Sequence, residues 1–257
     1  MDVISELMGV PESDRDELRR TADLIVRREE GVLDVPKDAI DGSITLPAYF
    51  RDMIAERKRR RTNDLTSALL DAEIDGDKLT DAEILGFTFL MVIAGNETTT
   101  KLLGNALFWG SRNQSQVAPV LADPALVPDW TEETLRYDTS TQILVRTSAE
   151  DIEYDGVTLP AGKKVLLLLG SANRDPDVFD DPDEFRTGRS STNKLASLCA
   201  GTHFCLGAHL ARLEANVALA AFARQVDDFE VDESGAQRVH STNVRGFATL
   251  PVKVRTR

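Results

Sequence analysis

The sequence predicts a mainly α fold with small β-sheets, an α+β domain, and three observations carry that reading. Residues 80–112 form the longest stretch of helical pattern, and ILGFTFLMVIAG within it is apolar almost all round, the mark of a central helix rather than a surface one. After Thr139 the pattern changes to short strand-like runs, with Asp155 and Gly156 set between two of them as a hairpin turn. An Ala- and Leu-rich helix over roughly 207–225 is followed at the chain end by the strand FATLPVKV. No repeat, low-complexity tract or linker divides the chain, so residues 1–257 read as one domain.

Taken in order, MDVISELMGVPESDRDEL begins directly on an amphipathic helical pattern. Residues 12–30 continue as a helix behind Pro11, whose fixed φ and missing N–H suit a first helical position. A further helix is expected over about 46–60. It ends in Arg57, Lys58, Arg59, Arg60 and Arg61, either a solvated terminus where cations meet the negative end of the helix dipole or a docking patch.

The helix over 80–112 starts on a capping box, Thr80 with Glu83, and spans roughly 50 Å. Ala94, Gly95, Asn96, Glu97, Thr98 and Thr99 interrupt its apolar pattern. Two readings fit: a kink with satisfied polar groups, since threonine hydroxyls bond back to the preceding turn, or a groove over a ligand, with Glu97 and Thr98 placed to hold water and relay protons. From Asp129 another capped helix, with Glu132 at its third position, carries Glu133 and Arg136. That pair is a surface ion pair of small consequence or, in a buried helix, a brace that must also hydrogen-bond elsewhere, for example to the meander backbone. ILVRT, DIEYDGVTL and residues 164–169 supply strands, and SANRDPDVFDDPDEF is a long Asp- and Pro-rich meander.

Composition excludes several classes. Lys+Arg 30 against Asp+Glu 43 leaves a net charge of −13, which argues against a general nucleic-acid binder, because phosphate binding needs a basic surface. Two cysteines cannot build a disulfide scaffold, and no secretory n-region or cleavage pattern opens the chain. The apolar run 84–95 is too short for a membrane span. A cytoplasmic location is expected.

The chemistry concentrates in ASLCAGTHFCLGAHLAR, residues 196–212, which holds both cysteines, Cys199 and Cys205, with His203 and His209. Cys205 stands just before a strong helix, so its sulfur faces free N–H groups and the positive end of the dipole, and both stabilise a thiolate. Gly201 and Gly207 flank it and permit close backbone approach by a large flat ligand. A zinc site is disfavoured by the Cys-x5-Cys spacing and the shortage of further ligands. A buried small hydrophobe, a thiol-redox pair with Cys199, and an axial thiolate to haem iron, which needs a single cysteine, remain.

In this order and spacing the elements resemble the cytochrome P450 family, the haem-thiolate monooxygenases, specifically the soluble bacterial kind. Ala94-Gly95-Asn96-Glu97-Thr98-Thr99 looks like the family's oxygen-activating motif, Glu133-Thr134-Leu135-Arg136 its Glu-x-x-Arg, residues 170–185 the segment after its strands, and Gly201 to Gly207 with Ala211 and Arg212 its cysteine-ligand loop. The similarity covers essentially the whole chain.

The resemblance implies the cytochrome P450 fold and haem b (iron protoporphyrin IX), with Cys205 as axial thiolate and metal ligand. It implies Ala94 and Gly95 letting the helix pass close to the haem, Glu97 and Thr98 delivering protons, and Gly207 shaping the loop. Arg146 and His203 would bind propionates through charge-assisted bonds, and Glu133 and Arg136 would brace the meander with Arg189 as third partner. Leu90, Met91, Ile143, Leu144 and Phe247 would touch a lipophilic small-molecule substrate. Electrons would come from a ferredoxin and its reductase, docking on the cysteine side.

Two departures stand out. Leu198 and Cys199 occupy positions where the family usually has Phe and Gly, which changes the shielding of the sulfur and restricts the turn, unless an apparent one-residue insertion within 189–198 re-routes it. VISELMGVPESDRDEL resembles a segment well inside the family fold, so a chain carrying the C-terminal two-thirds and lacking the N-terminal third is expected. The alternative function is a catalytically inactive relative that acts as a haem-binding, vestigial or interaction protein.

Overall fold

The structure is a computed structural model describing residues 2–32, 34–190 and 194–257. It divides into two compact units, Met1–Thr98 and Thr99–Arg257.

The first unit contains α1 (Asp2–Met8), α2 (Glu12–Val26), α3 (Lys37–Arg59), α4 (Leu65–Asp71), the hairpin β1 (Glu73–Ile74) and β2 (Asp77–Lys78), and the first part of α5 (Asp81–Arg112). Helix α2 ends at Val26 rather than at residue 30, with Arg27 extended. The run Arg27, Arg28, Glu29, Glu30 offers no apolar side chain to bury, so nothing holds another turn. Helix α3 starts at Lys37, well before residue 46, and runs through Pro47. Its buried residues Ala39, Gly42, Leu46, Phe50, Met53 and Ile54 keep helical spacing across the proline. Gly42 lets α2 approach: a β-carbon there would stand 3.1 Å from Ile25 Cγ1 and 3.4 Å from Thr21 Cγ2. Burial of that face outweighs the one backbone hydrogen bond Pro47 removes.

The basic end of α3 is largely engaged. Arg57 is buried, its Nε donating to Asp64 Oδ2 at 2.6 Å and its NH2 to Gly9 O at 2.8 Å. Lys58 Nζ donates to Asp81 Oδ2 at 2.6 Å and Arg61 Nε to Asp71 Oδ1 at 2.9 Å. These contacts favour a structural terminus over a free docking patch.

Asp64 also caps α4, accepting from Ser67 N at 2.7 Å. Burial pushes its carboxyl upward, but hydrogen bonds from Thr62, Ser67 and Arg57 outweigh that and hold it below the usual carboxylate range. A carboxyl depressed in the folded state adds stability above its unfolded pKa and loses it as pH falls through the folded value. The full chain is therefore expected to lose stability as pH drops below about 4, and Asp64→Asn to be less stable at neutral pH with a flatter acid dependence. Denaturant melts across that range check this, and parallel slopes in the two chains would contradict it.

Helix α5 begins on the expected capping box. Thr80 N donates to Glu83 Oε2 at 2.7 Å and Glu83 N to Thr80 Oγ1 at 3.3 Å.

The second unit holds the rest of α5, then α6 (Gln114–Ala122), α7 (Val127–Tyr137), β3 (Ile143–Thr147), β4 (Ile152–Tyr154), β5 (Val157–Leu159), β6 (Lys164–Leu168), α8 (Leu169–Ala172), α9 (Ala208–Gln225), β7 (Val226–Val231), β8 (Gln237–Arg238), β9 (Phe247–Thr249) and β10 (Val252–Thr256). Among the described residues every sheet is a two-stranded pair, antiparallel throughout: β3 with β6, β4 with β5, β7 with β10, and β8 with β9. Asp155 and Gly156 turn the β4–β5 hairpin with φ of 50° and 75°, both positive as a type I′ turn requires. FATLPVKV is two strands, because Pro251 has no N–H to give a ladder. Helix α7 starts at Val127, two residues before the expected cap Asp129, with Pro128 in its first turn.

The core of this unit gathers α5, α6, α7, α9 and β7 around Trp130, which is fully buried and donates its Nε1–H to Ala106 O at 3.2 Å. A β-carbon at Gly110 would stand 2.8 Å from the indole Cζ2, so only glycine admits the ring there. Among the described residues no helix is long and apolar enough to cross a membrane.

Candidate functional site

The root of the cysteine loop is tied to α7 and α8 by buried side chains. Asn173, just past α8, accepts from Ala196 N at 2.8 Å through Oδ1 and donates from Nδ2 to Ser197 Oγ at 2.6 Å. Ser197 Oγ in turn donates to Leu135 O at 2.5 Å, at the end of α7. Asn173 is fully buried, so the start of the loop is fixed before any exposed residue is reached.

From that root the chain turns sharply. Cys199 N donates to Ala196 O at 2.9 Å, and Cys199 adopts φ 58°, the left-handed region. Gly201 also has positive φ, 61°. The chain then folds back so that Cys205 N donates to Leu198 O at 2.9 Å. The turn that a glycine would make freely is thus made by a cysteine, without re-routing among the described residues. The expected insertion within 189–198 falls partly on residues 191–193, outside the described residues. A non-glycine residue in this conformation costs roughly 1–2 kcal/mol, so Cys199→Gly is expected to be more stable than Cys199→Ala by about 1 kcal/mol. Denaturant melts of the two variants check the sign, and equal midpoints would show that the turn relaxes.

Cys205 is exposed, between Phe204 at 48% exposure and Leu206 at 71%. It stands three residues before α9, whose N-cap is Gly207. A β-carbon at Gly201 would meet nothing within 4 Å, and at Gly207 only Cys205 Sγ at 4.0 Å. The loop therefore offers one soft, accessible donor over backbone that a flat ligand can approach closely. No group of three or more His, Cys, Asp or Glu gathers as a metal site among the described residues. This donor set fits a single axial thiolate to haem iron rather than a tetrahedral ion.

Helices α7 and α9 are locked together beside the loop. Arg212 Nε and NH2 donate to Glu132 Oε1 and Oε2 at 2.5 and 3.0 Å, and Thr131 Oγ1 donates to Asn216 Oδ1 at 2.6 Å. The Glu132 bonds raise the Arg212 pKa, with a smaller contribution from Cys205. Glu132 thus serves α9 rather than capping its own helix, because α7 starts earlier than the sequence suggested.

Glu133 and Arg136 are buried, with side-chain exposures of 1% and 0%. Arg136 uses its five N–H donors: two on Glu133 at 2.8 Å each, and one each on Asn173 O at 3.0 Å, Pro182 O at 2.8 Å and Glu184 O at 2.8 Å. Arg189 Nε donates to Glu133 Oε1 at 3.2 Å, and its NH2 to Asp181 O and Glu184 O at 2.9 and 2.8 Å. Arg186 N completes the carboxylate's shell at 2.7 Å. The surface-pair reading is excluded; the cluster holds the meander carbonyls.

Other expected site residues lie as follows. Arg146 is half-buried on β3, its NH1 donating to Val145 O at 3.0 Å. His203 is exposed in the loop, in a short 3₁₀ turn. Ile143 and Leu144 are half-buried on β3. Phe247 is buried against Phe108, ring centroids 4.9 Å apart, with Arg238 3.8 Å over its ring, so it packs in the core of the second unit.

On α5 the helix continues unbroken through residues 94–99. Thr98 Oγ1 donates back to Ala94 O at 2.8 Å, and Glu97 is buried. Asn96 Nδ2 donates to Asp23 Oδ1 of α2 at 2.6 Å. Gly95 faces α1, where a β-carbon would overlap Ile4 Cγ1, so packing of α5 on α1 itself requires a glycine here. Ala94 lies on the opposite row with Gly86 and Leu90, all exposed. The helix is therefore not buried all round, and its exposed row carries small and apolar side chains.

Sequence reasoning missed Asn173, Ser197 and the Glu132 partner of Arg212. Only the Glu132–Glu133 doublet, two adjacent acids on a mostly buried helix, hinted that each needs its own cation.

The sequence profile of the family described as Cytochrome P450 matches residues 125–256. Over 257 residues the chain is 58% identical to the putative cytochrome P450 123 of Mycobacterium tuberculosis, covering 100% of this chain and 64% of that protein. It is 37% identical over 256 residues to the vitamin D(3) 25-hydroxylase of Pseudonocardia autotrophica, covering 97% and 62%. The chain thus spans somewhat less than two thirds of the length of these curated relatives. It superposes on substrate-free CYP109E1 of Bacillus megaterium with a TM-score of 0.91 at 33% identity, covering 99% of this chain and 68% of that one. CYP109E1 has also been solved in complex with corticosterone and with testosterone. Agreement of this extent, in sequence and in fold at once, leads to one assignment: the chain belongs to the cytochrome P450 family.

Proposed function

We propose that this chain carries the haem-binding part of a monooxygenase that inserts one atom of dioxygen into a lipophilic small molecule. The observation that supports this most is the exposed Cys205 thiol, held close to the head of α9 by a loop with a buried, hydrogen-bonded root. Haem b fits that loop: Cys205 would be its axial thiolate, Gly207 would keep the backbone clear of the ring, and Arg146 and His203 would hold its propionates. When bound, the haem supplies dioxygen activation and electron transfer.

The protein's own residues supply the rest. Ala208 N, the first N–H of α9, donates to Cys205 O at 3.1 Å, which ties the cysteine to the head of the helix. Glu133, Arg136 and Arg189 keep the meander, and with it Asn173 and the loop root, in place. Thr98 Oγ1, which donates to Ala94 O and keeps its lone pairs to accept, would hold a water or pass a proton, with the Glu97 carboxyl as its proton source. Ala94 keeps the exposed row of α5 low, and Leu90, Met91, Ile143 and Leu144 give apolar contacts to the substrate. The steroid complexes of CYP109E1 support the lipophilic class. Electrons come from a ferredoxin with its reductase, in the cytoplasm.

The test supplies the full chain with hemin, a ferredoxin, its reductase and NADH, and screens a steroid and fatty-acid panel under heavy-isotope dioxygen. A product carrying one labelled oxygen is expected, lost in Cys205→Ala and reduced roughly 100-fold in Thr98→Val while NADH consumption continues. Label drawn from water, or equal product from Cys205→Ala, would refute the reading.

A further inference from the structure

We propose that Asn173, with Ser197 as its relay, is the positioning residue that sets where Cys205 stands, so that a buried amide decides how tightly the loop takes haem and how fully the sulfur stays on the iron. This rests on the reading of Cys205 as the haem ligand, but the anchoring itself stands on bonds within the protein.

Each polar atom at the loop root has one role. Asn173 Oδ1 accepts from Ala196 N at 2.8 Å, and Nδ2 donates to Ser197 Oγ at 2.6 Å and lies 3.4 Å from Leu135 O. Because Ser197 Oγ receives the Asn173 hydrogen, its own hydrogen goes to Leu135 O, 2.5 Å away. Leu135 O is among the last carbonyls of α7, beyond the reach of the helix's own N–H ladder, and so takes an outside donor. Asn173 and Ser197 are 0% and 8% exposed, so solvent does not replace a bond lost here.

From Ser197 the constraint passes to the cysteine through one residue. Leu198 follows Ser197, packs its side chain against the cluster of Leu102, Leu135 and Ala215, and accepts from Cys205 N at 2.9 Å. Cys205 itself is exposed, and it is held through its backbone, by that bond and by the one from Ala208 N to its carbonyl. A shift at the root therefore moves the sulfur, with no packed side chain around it to correct the error. Removing groups that support a ligand, rather than bind the metal, costs about 10–100-fold in metal affinity. Asn105 gives the contrast. It is equally buried and braces backbone in the same way, its Nδ2 donating to Asp138 O at 2.9 Å and Arg245 O at 3.2 Å, but these partners lie outside the cysteine loop.

Three variants of the full chain test this: Asn173→Ala, Ser197→Ala and, as control, Asn105→Ala, each checked by circular dichroism and urea unfolding. Hemin titration is expected to show roughly 10–100-fold weaker binding in Asn173→Ala and a smaller loss in Ser197→Ala. After reduction and carbon monoxide, both are expected to lose part of the strongly red-shifted Soret band to a less shifted one. Asn105→Ala is expected to unfold at lower urea yet keep wild-type affinity and the full red-shifted band. If Asn173→Ala does not fold, Ser197→Ala decides. Wild-type affinity and band in every folded root variant, or a loss in Asn105→Ala as large as at the root, would overturn the proposal. A second arm needs no haem: the Cys199 and Cys205 amides are expected to lose hydrogen-exchange protection in the root variants and to keep it in Asn105→Ala. Unchanged protection in the root variants overturns the anchoring whatever the haem does. A wild type with no thiolate band but with exchange as expected strikes the haem reading and leaves the anchoring standing.

Discussion

Arg136→Ala is expected to cost about 3–5 kcal/mol of folding free energy, and Glu133→Ala a similar amount. Arg136 is wholly inside the protein, with its five donors used. Its removal leaves the Glu133 carboxylate with only the Arg189 guanidinium and the Arg186 N–H of its described donors, and leaves the carbonyls of Asn173 and Pro182 without that donor. An orphaned buried charge loses its partner but keeps its desolvation cost, which is why breaking such a pair costs more than the pair itself contributes. The damage should spread along the chain, because Asn173 also roots the cysteine loop through Ala196 and Ser197. Urea unfolding followed by circular dichroism checks the size. Arg174→Ala, which breaks an ion pair with the exposed Asp183, a bond to Tyr137 O at 2.9 Å and a stack 4.0 Å over the Tyr137 ring, should still be milder, because Arg174 is one-third exposed and its loss leaves no buried charge. Arg136→Ala as mild as Arg174→Ala would show that water reaches the cluster.

Cys205→Ala is expected to have the opposite profile, a complete loss of sulfur ligation with the fold intact. Its side chain is exposed and fills no core, and the bonds it makes to Leu198 and Ala208 are backbone bonds that alanine keeps. A surface substitution of this kind changes stability by about 0.5 kcal/mol or less. Hemin affinity should fall sharply, since neither His203 nor His209 lies at the loop position of the thiol. The two variants therefore separate stability from function: one removes the support of the loop, the other its single donor atom.

Much of this was legible in the sequence, for definite reasons. Helix α5 declares itself because its capping box and long apolar run are local signals. The β4–β5 hairpin follows from Asp155-Gly156, since few residue pairs take two positive φ values. The early start of α3 was hidden because Pro47 reads locally as a helix start, whereas packing on α2 carries the helix through it. Gly95 announced a close approach but not to what, and Ile4 of α1 is the neighbour. The loop root was invisible because Asn173, Ser197 and Leu135 meet through bonds spanning 24 to 62 residues, which leave no local period. Cys199 was visible as an oddity, and only its φ shows that it makes a glycine's turn.

The decisive measurement is optical. The full chain is reconstituted with hemin, reduced and exposed to carbon monoxide, and its Soret band is recorded beside that of Cys205→Ala, with circular dichroism confirming that both are folded. A strongly red-shifted band in the wild type, absent from the variant, is the expected result and marks thiolate-ligated haem. A red-shifted band that survives in Cys205→Ala, or none in folded wild-type protein, would contradict the assignment of this loop as a haem ligand.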